Sequence, residues 1–176
     1  MKMLLLVLAA AGAALAGDWT KPVEVRHETT LCVTYRAKLS GGYLVIEAAH
    51  SKPWHTYAID NKVRAAEKLA GKKSLGIDQP TAITVSGGLE VAGGWLQTPP
   101  KDLSKPELRW FTWGFEGQSL FAAKVRKTGP GPAKIGLRGQ ACTEANCKNI
   151  DAEIELPLSG MAGALDVDLK ALIPAK

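Results

Sequence analysis

The stretch that decides the fold is Lys134-Ile-Gly-Leu-Arg-Gly-Gln-Ala-Cys142-Thr-Glu-Ala-Asn-Cys147-Lys-Asn-Ile150-Asp-Ala-Glu-Ile154-Glu-Leu156-Pro-Leu158. On its first arm Ile135 and Leu137 alternate with polar or small residues. On its second arm Ile150, Ala152, Ile154 and Leu156 alternate with Asp151, Glu153 and Glu155. A period of two means one buried face and one wet face, so the stretch reads as strand, turn, strand. A tight antiparallel turn sets its flanking residues opposite one another, with Cα atoms roughly 4.5–5.5 Å apart. That separation suits a disulfide, so Cys142 and Cys147 are able to pair across the turn.

Working outward, the same alternation recurs. Leu31, Val33, Tyr35, Ala37 and Leu39 alternate with Cys32, Thr34, Arg36 and Lys38, which places Cys32 on the polar register as a partly covered thiol. Ser40-Gly41-Gly42 is a turn, and Tyr43–His50 is apolar on both faces, as a central strand requires. Pro22–Arg26 reads as an edge strand, and Trp54–Ala58 as extended chain after the break at Pro53. Asn61–Lys73 differs, because Val63, Ala66, Leu69 and Ala70 recur at helical spacing. Asn61 is placed to cap this short basic helix or loop and Gly71 to stop it. Ala82–Val85, Leu89–Ala92 and Ser119–Arg126 are further strands, while Gly93-Gly94-Trp95 and Gln97–Pro100 are expected to leave the sheet. Lys101–Gly117 reads as a long irregular loop carrying Trp110, Phe111, Trp113 and Phe115. Gly129-Pro-Gly-Pro132 is a turn. About seven short strands with Gly/Pro punctuation predict an all-β protein, an immunoglobulin-like antiparallel β-sandwich with long loops. Periodicity alone leaves a jelly roll or small barrel open.

The ends of the chain read differently. Lys2, the apolar run Met3–Ala13 and the small residues of Ala14-Leu15-Ala16 form a signal-peptide pattern over residues 1–16. The expected organisation is therefore a leader, a sandwich domain over 17–160, and a flexible or short helical tail over 161–176. Beyond the leader no apolar run is of membrane length. The chain carries a formal charge of +5, and losing Lys2 with the leader would leave +4. This excess is spread out, without the dense basic stripe and interleaved aromatics of a nucleic-acid binder. There is no Gly-x-Ser-x-Gly and no phosphate loop. His27, His50 and His55 with the three cysteines could in principle hold zinc or copper, but no tight ligand spacing is present. No metal or other cofactor is expected.

Export places thiols where they tend to oxidise, and three cysteines leave one unpaired. A structural staple is the common reason for a disulfide in such a domain. In the chain-entropy model, however, closing about six residues gains only about 2 kcal/mol, against about 4–5 for a hundred. A bond this local suits a disulfide that exchanges with an incoming thiolate. Tyr57 and Trp54 read as core, and the aromatic loop as either core or lid.

Three segments resemble the N-terminal, periplasmic, immunoglobulin-like domain of the thiol–disulfide interchange protein DsbD. They are Pro53-Trp54-His55-Thr56-Tyr57, Leu75-Gly-Ile-Asp-Gln-Pro-Thr-Ala-Ile83, and Gly139-Gln-Ala-Cys142 through Cys147. The resemblance spans roughly residues 20–158 in order. It implies a redox pair at Cys142 and Cys147 and Tyr57 near it. It also implies a cap or docking loop drawn from Trp110, Phe111, Trp113 and Phe115, and thioredoxin-fold partners. This chain has Lys148-Asn149-Ile150 where many members have an aromatic or leucine before two prolines. A separate membrane protein is the expected electron donor. Three readings therefore stand: an exported exchange domain of a protein-disulfide oxidoreductase system, a β-sandwich binding or scaffold module with a structural disulfide, and a metal-binding module.

Overall fold

A computed structural model describes residues 17–73, 76, 78–159, 161 and 163–176. The signal-peptide pattern of 1–16, and Leu75 and Ile77 of the second resembling segment, lie outside the described residues. Two antiparallel sheets pack face to face. The first runs β1 (Val23–His27), β2 (Thr30–Ser40), β3 (Tyr43–His50), β9 (Gln118–Lys127), β6 (Leu89–Gln97), β12 (Ile173–Pro174). The second runs β11 (Cys147–Leu156), β10 (Ala133–Cys142), β4 (His55–Tyr57), β8 (Trp113–Phe115), β7 (Lys101–Asp102). Here β5 (Ala82–Gly87) pairs with the first part of β10. The sheets are open, so the architecture is a sandwich and not a closed barrel.

The alternation that predicted the strands is the alternation that fills the core. Val33, Tyr35, Ala37 and Leu39 of β2 meet Leu44, Ile46 and Ala48 of β3, Phe121 of β9, and Ile135, Leu137 and Ile154 from the opposite sheet. Ser40 pairs with Tyr43 across Gly41-Gly42, whose φ angles of 56° and 78° give the two-residue hairpin that only such a pair enters without strain. As expected, β3 is interior, with β2 and β9 on either side, and Val45 is buried on its outer face as well.

Four expectations need correction. Cys32 is fully buried in the core. In the β1–β2 register Val25 faces Val33 and Arg26 faces Leu31, so Cys32 is the extra residue of a bulge. A bulge breaks the two-residue period locally, which lets Cys32 and Val33 both point inward. Gly93, Gly94 and Trp95 stay within β6, where a register shift between Val91 and Trp95 absorbs them. Lys101–Gly117 is not irregular, because it contains β7, a 3-10 turn at Pro106–Leu108, and β8. The helix α1 spans Asn61–Leu69 with Asp60 at the cap position. Asn61 is a fully buried bonding residue, Val63 is 46% exposed, and the inward residue is Ala65. Ala70, in the left-handed conformation, ends the helix ahead of Gly71.

The C-terminal stretch lies on the outer face of the first sheet. A 3-10 turn at Leu169–Ala171 leads into β12, which pairs with β6. Leu172 is buried against Val45 and Ala122, with Trp19 from the other end of the chain beside them. Asp166 accepts from Ser40 Oγ and pairs with Lys38.

Candidate functional site

The cysteine hairpin forms as the sequence indicated. Ten register pairs join β10 and β11, from Ala133–Leu156 to Cys142–Cys147. A disulfide closes the last pair, with the Cα atoms 4.1 Å apart. Within the turn, Thr143 Oγ1 accepts from the backbone N–H of Ala145 (3.2 Å) and of Asn146 (3.0 Å), and Thr143 N–H donates to Asn146 O at 2.7 Å. The turn therefore holds its shape through its own polar groups. The two sulfurs differ in access: Cys142 is 1% exposed, whereas Cys147 lies on the exposed rim.

That asymmetry comes from what covers the outer face of the second sheet. Along β10, Ile135, Leu137 and Ala141 point into the sandwich, so Gln140 and Cys142 point out. They are nevertheless buried, because β4 flanks Cys142 within the sheet, the Gln79 N–H donates to Gln140 Oε1, and the linked Asp78 and Trp110 segments stand over that end. Cys142 pairs with His55 of β4, and Thr56 pairs with Phe115 of β8. Directly opposed side chains share a face. Cys147, Cys142 and His55 thus stand in one row on the outward face. Continuing the same register one step brings Glu116 to its end.

Thr56 takes the opposite face. His50 Nδ1 donates to Gly117 O at 2.7 Å, which leaves Nε2 to accept the Thr56 hydroxyl at 2.8 Å. Burial pushes the His50 pKa down, so this inward imidazole stays neutral. His55 is also pushed down, chiefly by burial, with Glu116 opposing and Lys105 assisting. A cleft of about 330 Å³ opens beside the disulfide turn, lined by Pro53, His55, Trp110, Glu116, Thr143 and Glu144. Its rim carries a Lys101–Glu116 ion pair at 2.9 Å and Lys105 at 4.0 Å from Glu144.

Trp110 is pinned from behind. Its indole N–H donates to Asp78 Oδ1 at 2.8 Å. Asp78 Oδ2 accepts from Thr112 Oγ1 at 3.1 Å and from the Asn61 amide, and Asn61 Oδ1 takes the Trp113 N–H at 2.7 Å. The covering segment is thereby fastened to the start of α1.

Of the four loop aromatics, the structure brings only Trp110 to the cleft lining. Phe115 sits 3% exposed inside the sandwich, edge-on to Phe121 at 5.3 Å, because β8 directs it inward opposite Thr56. Trp113 packs at the margin of the core, and Phe111 is half-buried. Tyr57 is buried on the outward face, with its ring edge-on to His55 at 5.4 Å. Burial, with Asp78 nearby, pushes its phenol up. The other candidates lie elsewhere. His27 packs tilted against Trp54, with ring centroids 5.8 Å apart, and Cys32 is a buried free thiol. Among the described residues no group of three or more His, Cys, Asp or Glu side chains is assembled for a metal. Also among them, no helix is long and apolar enough to cross a membrane. Sequence reasoning missed His55, Asp78, Asn61 and Glu116 as parts of this surface. The only signal for His55 was its place in the Pro53–Tyr57 segment.

No protein-family model matches the chain, and no curated protein matches it. Similar solved structures include the reduced N-terminal domain of DsbD from Neisseria meningitidis. It is 11% identical, with a TM-score of 0.48 over 82% of this chain and 90% of that one. The complex of the DsbD and PilB N-terminal domains from the same organism gives 10% and 0.45, over 74% and 85%. The GAE domain of GGA2p from Saccharomyces cerevisiae gives 9% and 0.39, over 78% and 98%. At such identities and scores the likeness is one of overall shape, and the chemistry has to be argued from this chain's own residues.

Proposed function

We propose that this protein is an exported thiol–disulfide exchange domain in which Cys142 and Cys147 cycle between disulfide and dithiol against thioredoxin-fold partners. The observation that carries the reading is the pairing of a local disulfide with unequal sulfurs: Cys147 on the rim and Cys142 at its base, beside a cleft. In the oxidised protein, a partner thiolate attacks Cys147 Sγ. The Cys142–Cys147 bond breaks, a Cys147–partner disulfide forms, and the electron pair leaves on Cys142 as a thiolate. The partner's second thiolate then attacks its own bridged sulfur and releases Cys147. The partner ends oxidised and the pair reduced, and the reverse sequence passes the two electrons onward. A separate membrane protein is the proposed source of electrons.

Trp110 is the residue proposed to shield the pair and to meet the partner. Its rigid ring flanks the turn, and aromatic groups at such rims are common docking anchors. Tyr57 supports the site from beneath through His55. The Pro53–Tyr57 and Gly139–Cys147 motifs agree with this assignment, and the leader pattern at 1–16 agrees with export.

The test is trapping. A Cys142→Ala variant keeps the accessible thiol and cannot resolve a mixed disulfide. Incubated with a thioredoxin-fold protein whose single remaining active-site cysteine is held as a mixed disulfide with thionitrobenzoate, it is expected to form a stable adduct through Cys147 as thionitrobenzoate leaves with the electron pair. A Cys147→Ala variant is expected to form little. Equal, slow adduct formation by both variants would favour the structural staple instead.

A further inference from the structure

We infer that His55 is the proton acceptor and donor for the Cys142 thiol during disulfide exchange. The inference rests on the exchange reading above and adds a residue that the sequence motifs do not assign to any step.

The geometry comes from strand register. Cys142 and His55 are direct partners across β10 and β4, so their Cβ atoms lie about 4.5–5.5 Å apart on one face. Cys147 is the partner of Cys142 on the opposite edge. The three side chains are therefore consecutive in one row, with the reacting sulfurs adjoining the imidazole. The cleft reaches His55 as well as the turn residues Thr143 and Glu144, so water has access to the ring while Cys142 itself is covered.

Cys142 needs such a neighbour. A thiol 1% exposed has almost no water to take its proton, and a hairpin offers no helix N-terminus to stabilise its thiolate. An imidazole is the one side chain whose ordinary pKa allows it to give or take a proton near neutrality. Its surroundings are mixed in sign. Glu116 follows β8 and is paired with Lys101 of β7. Lys105 belongs to the covering segment and Glu144 to the turn. Tyr57 stands on its own strand and neutral His50 on the sheet behind. With burial added, the ring is neutral at pH 7 and is poised to accept a proton.

In the mixed disulfide between Cys147 and a partner sulfur, the Cys142 thiol gives its proton to His55. The Cys142 thiolate attacks Cys147 Sγ and the intramolecular S–S bond forms. The Cys147–partner bond breaks, and the electron pair leaves on the partner sulfur. In the opposite direction, protonated His55 returns the proton to Cys142 as the disulfide opens.

Oxidised glutathione tests this without any protein partner. Reduced protein is mixed with it, and the Cys147–glutathione adduct is followed to the Cys142–Cys147 disulfide by acid quench and mass spectrometry, from pH 5 to 9. The wild-type resolution rate is expected to fall on the acid side, with a midpoint below about 6.5, the ordinary imidazole value. His55→Gln is expected to be slower by at least about tenfold at pH 7. Its rate should climb steadily with pH and show no limb in the imidazole range. Added imidazole is expected to restore part of the rate in His55→Ala. Parallel pH profiles for wild type and His55→Gln would overturn the inference. If neither variant folds, the wild-type profile decides alone, and the lack of an acid limb in the imidazole range overturns it. Failure here with normal trapping in Cys142→Ala removes His55 only, whereas failed trapping removes the exchange reading itself.

Discussion

Reducing the Cys142–Cys147 disulfide is expected to leave a folded protein. Its bond closes a sequence separation of 5, and for so short a loop the chain-entropy gain is only about 2 kcal/mol. The hairpin has other supports. Ten register pairs run its length, and Ile135, Leu137, Ile150, Ile154 and Leu156 bury their side chains in the common core. Burying side chains of this size stabilises by roughly 1.5–3 kcal/mol each, so the core outweighs the bond several-fold. For a domain of this size, 1 kcal/mol moves Tm by about 2–4 °C. Reduction should therefore lower Tm by about 4–8 °C while keeping a single cooperative transition. Circular dichroism melts of the oxidised protein and of protein held in a phosphine reductant read this directly. Loss of the β signal on reduction, or a shift beyond about 15 °C, would refute the reasoning and make the bond a staple.

Three further outcomes are expected. Cys32 should react with a thiol reagent only on unfolding, since it is buried and burial raises its pKa; Cys32→Ser should cost about 1–3 kcal/mol in a denaturant titration by placing a hydroxyl in the core. Asp60 is buried, which alone would raise its pKa, but bonds from Arg64, the Lys176 N–H and Gln97 outweigh burial and hold its carboxyl below the usual range. A lowered folded pKa gives stability that is present above about pH 4 and lost as pH falls further. Asp60→Asn should therefore flatten the acid side of a stability–pH curve and cost about 2–3 kcal/mol at pH 7. Trp110→Ala should speed reduction of the disulfide by a small thiol such as dithiothreitol by several-fold, as read by quenched mass analysis, because it uncovers one wall of the cleft.

The parts legible in the sequence are those set by local patterning. The β10–β11 hairpin, the central position of β3 and the Gly41-Gly42 turn all follow from alternation and turn chemistry. What escaped was set by pairing between distant segments. Thr56 and Tyr57 recruit Phe115 and Gly114 into β8, a strand of three residues too short to show a period. That pairing turned Phe115 inward and left Trp110 as the aromatic at the cleft. The bulge at Cys32 shifted register by one residue, enough to move a side chain from the wet face to the core. His55 stands in the Pro53–Tyr57 segment, but its pairing with Cys142 arises only through the fold.

The central claim is that the Cys142–Cys147 bond is a reagent, and its reduction potential tests this most directly. The protein would be equilibrated in dithiothreitol or glutathione buffers and the thiols quantified after quenching. Exchange with thioredoxin-fold partners predicts a potential within the range those partners span, roughly −120 to −270 mV. A potential well below about −300 mV would mark a structural bond and contradict the account.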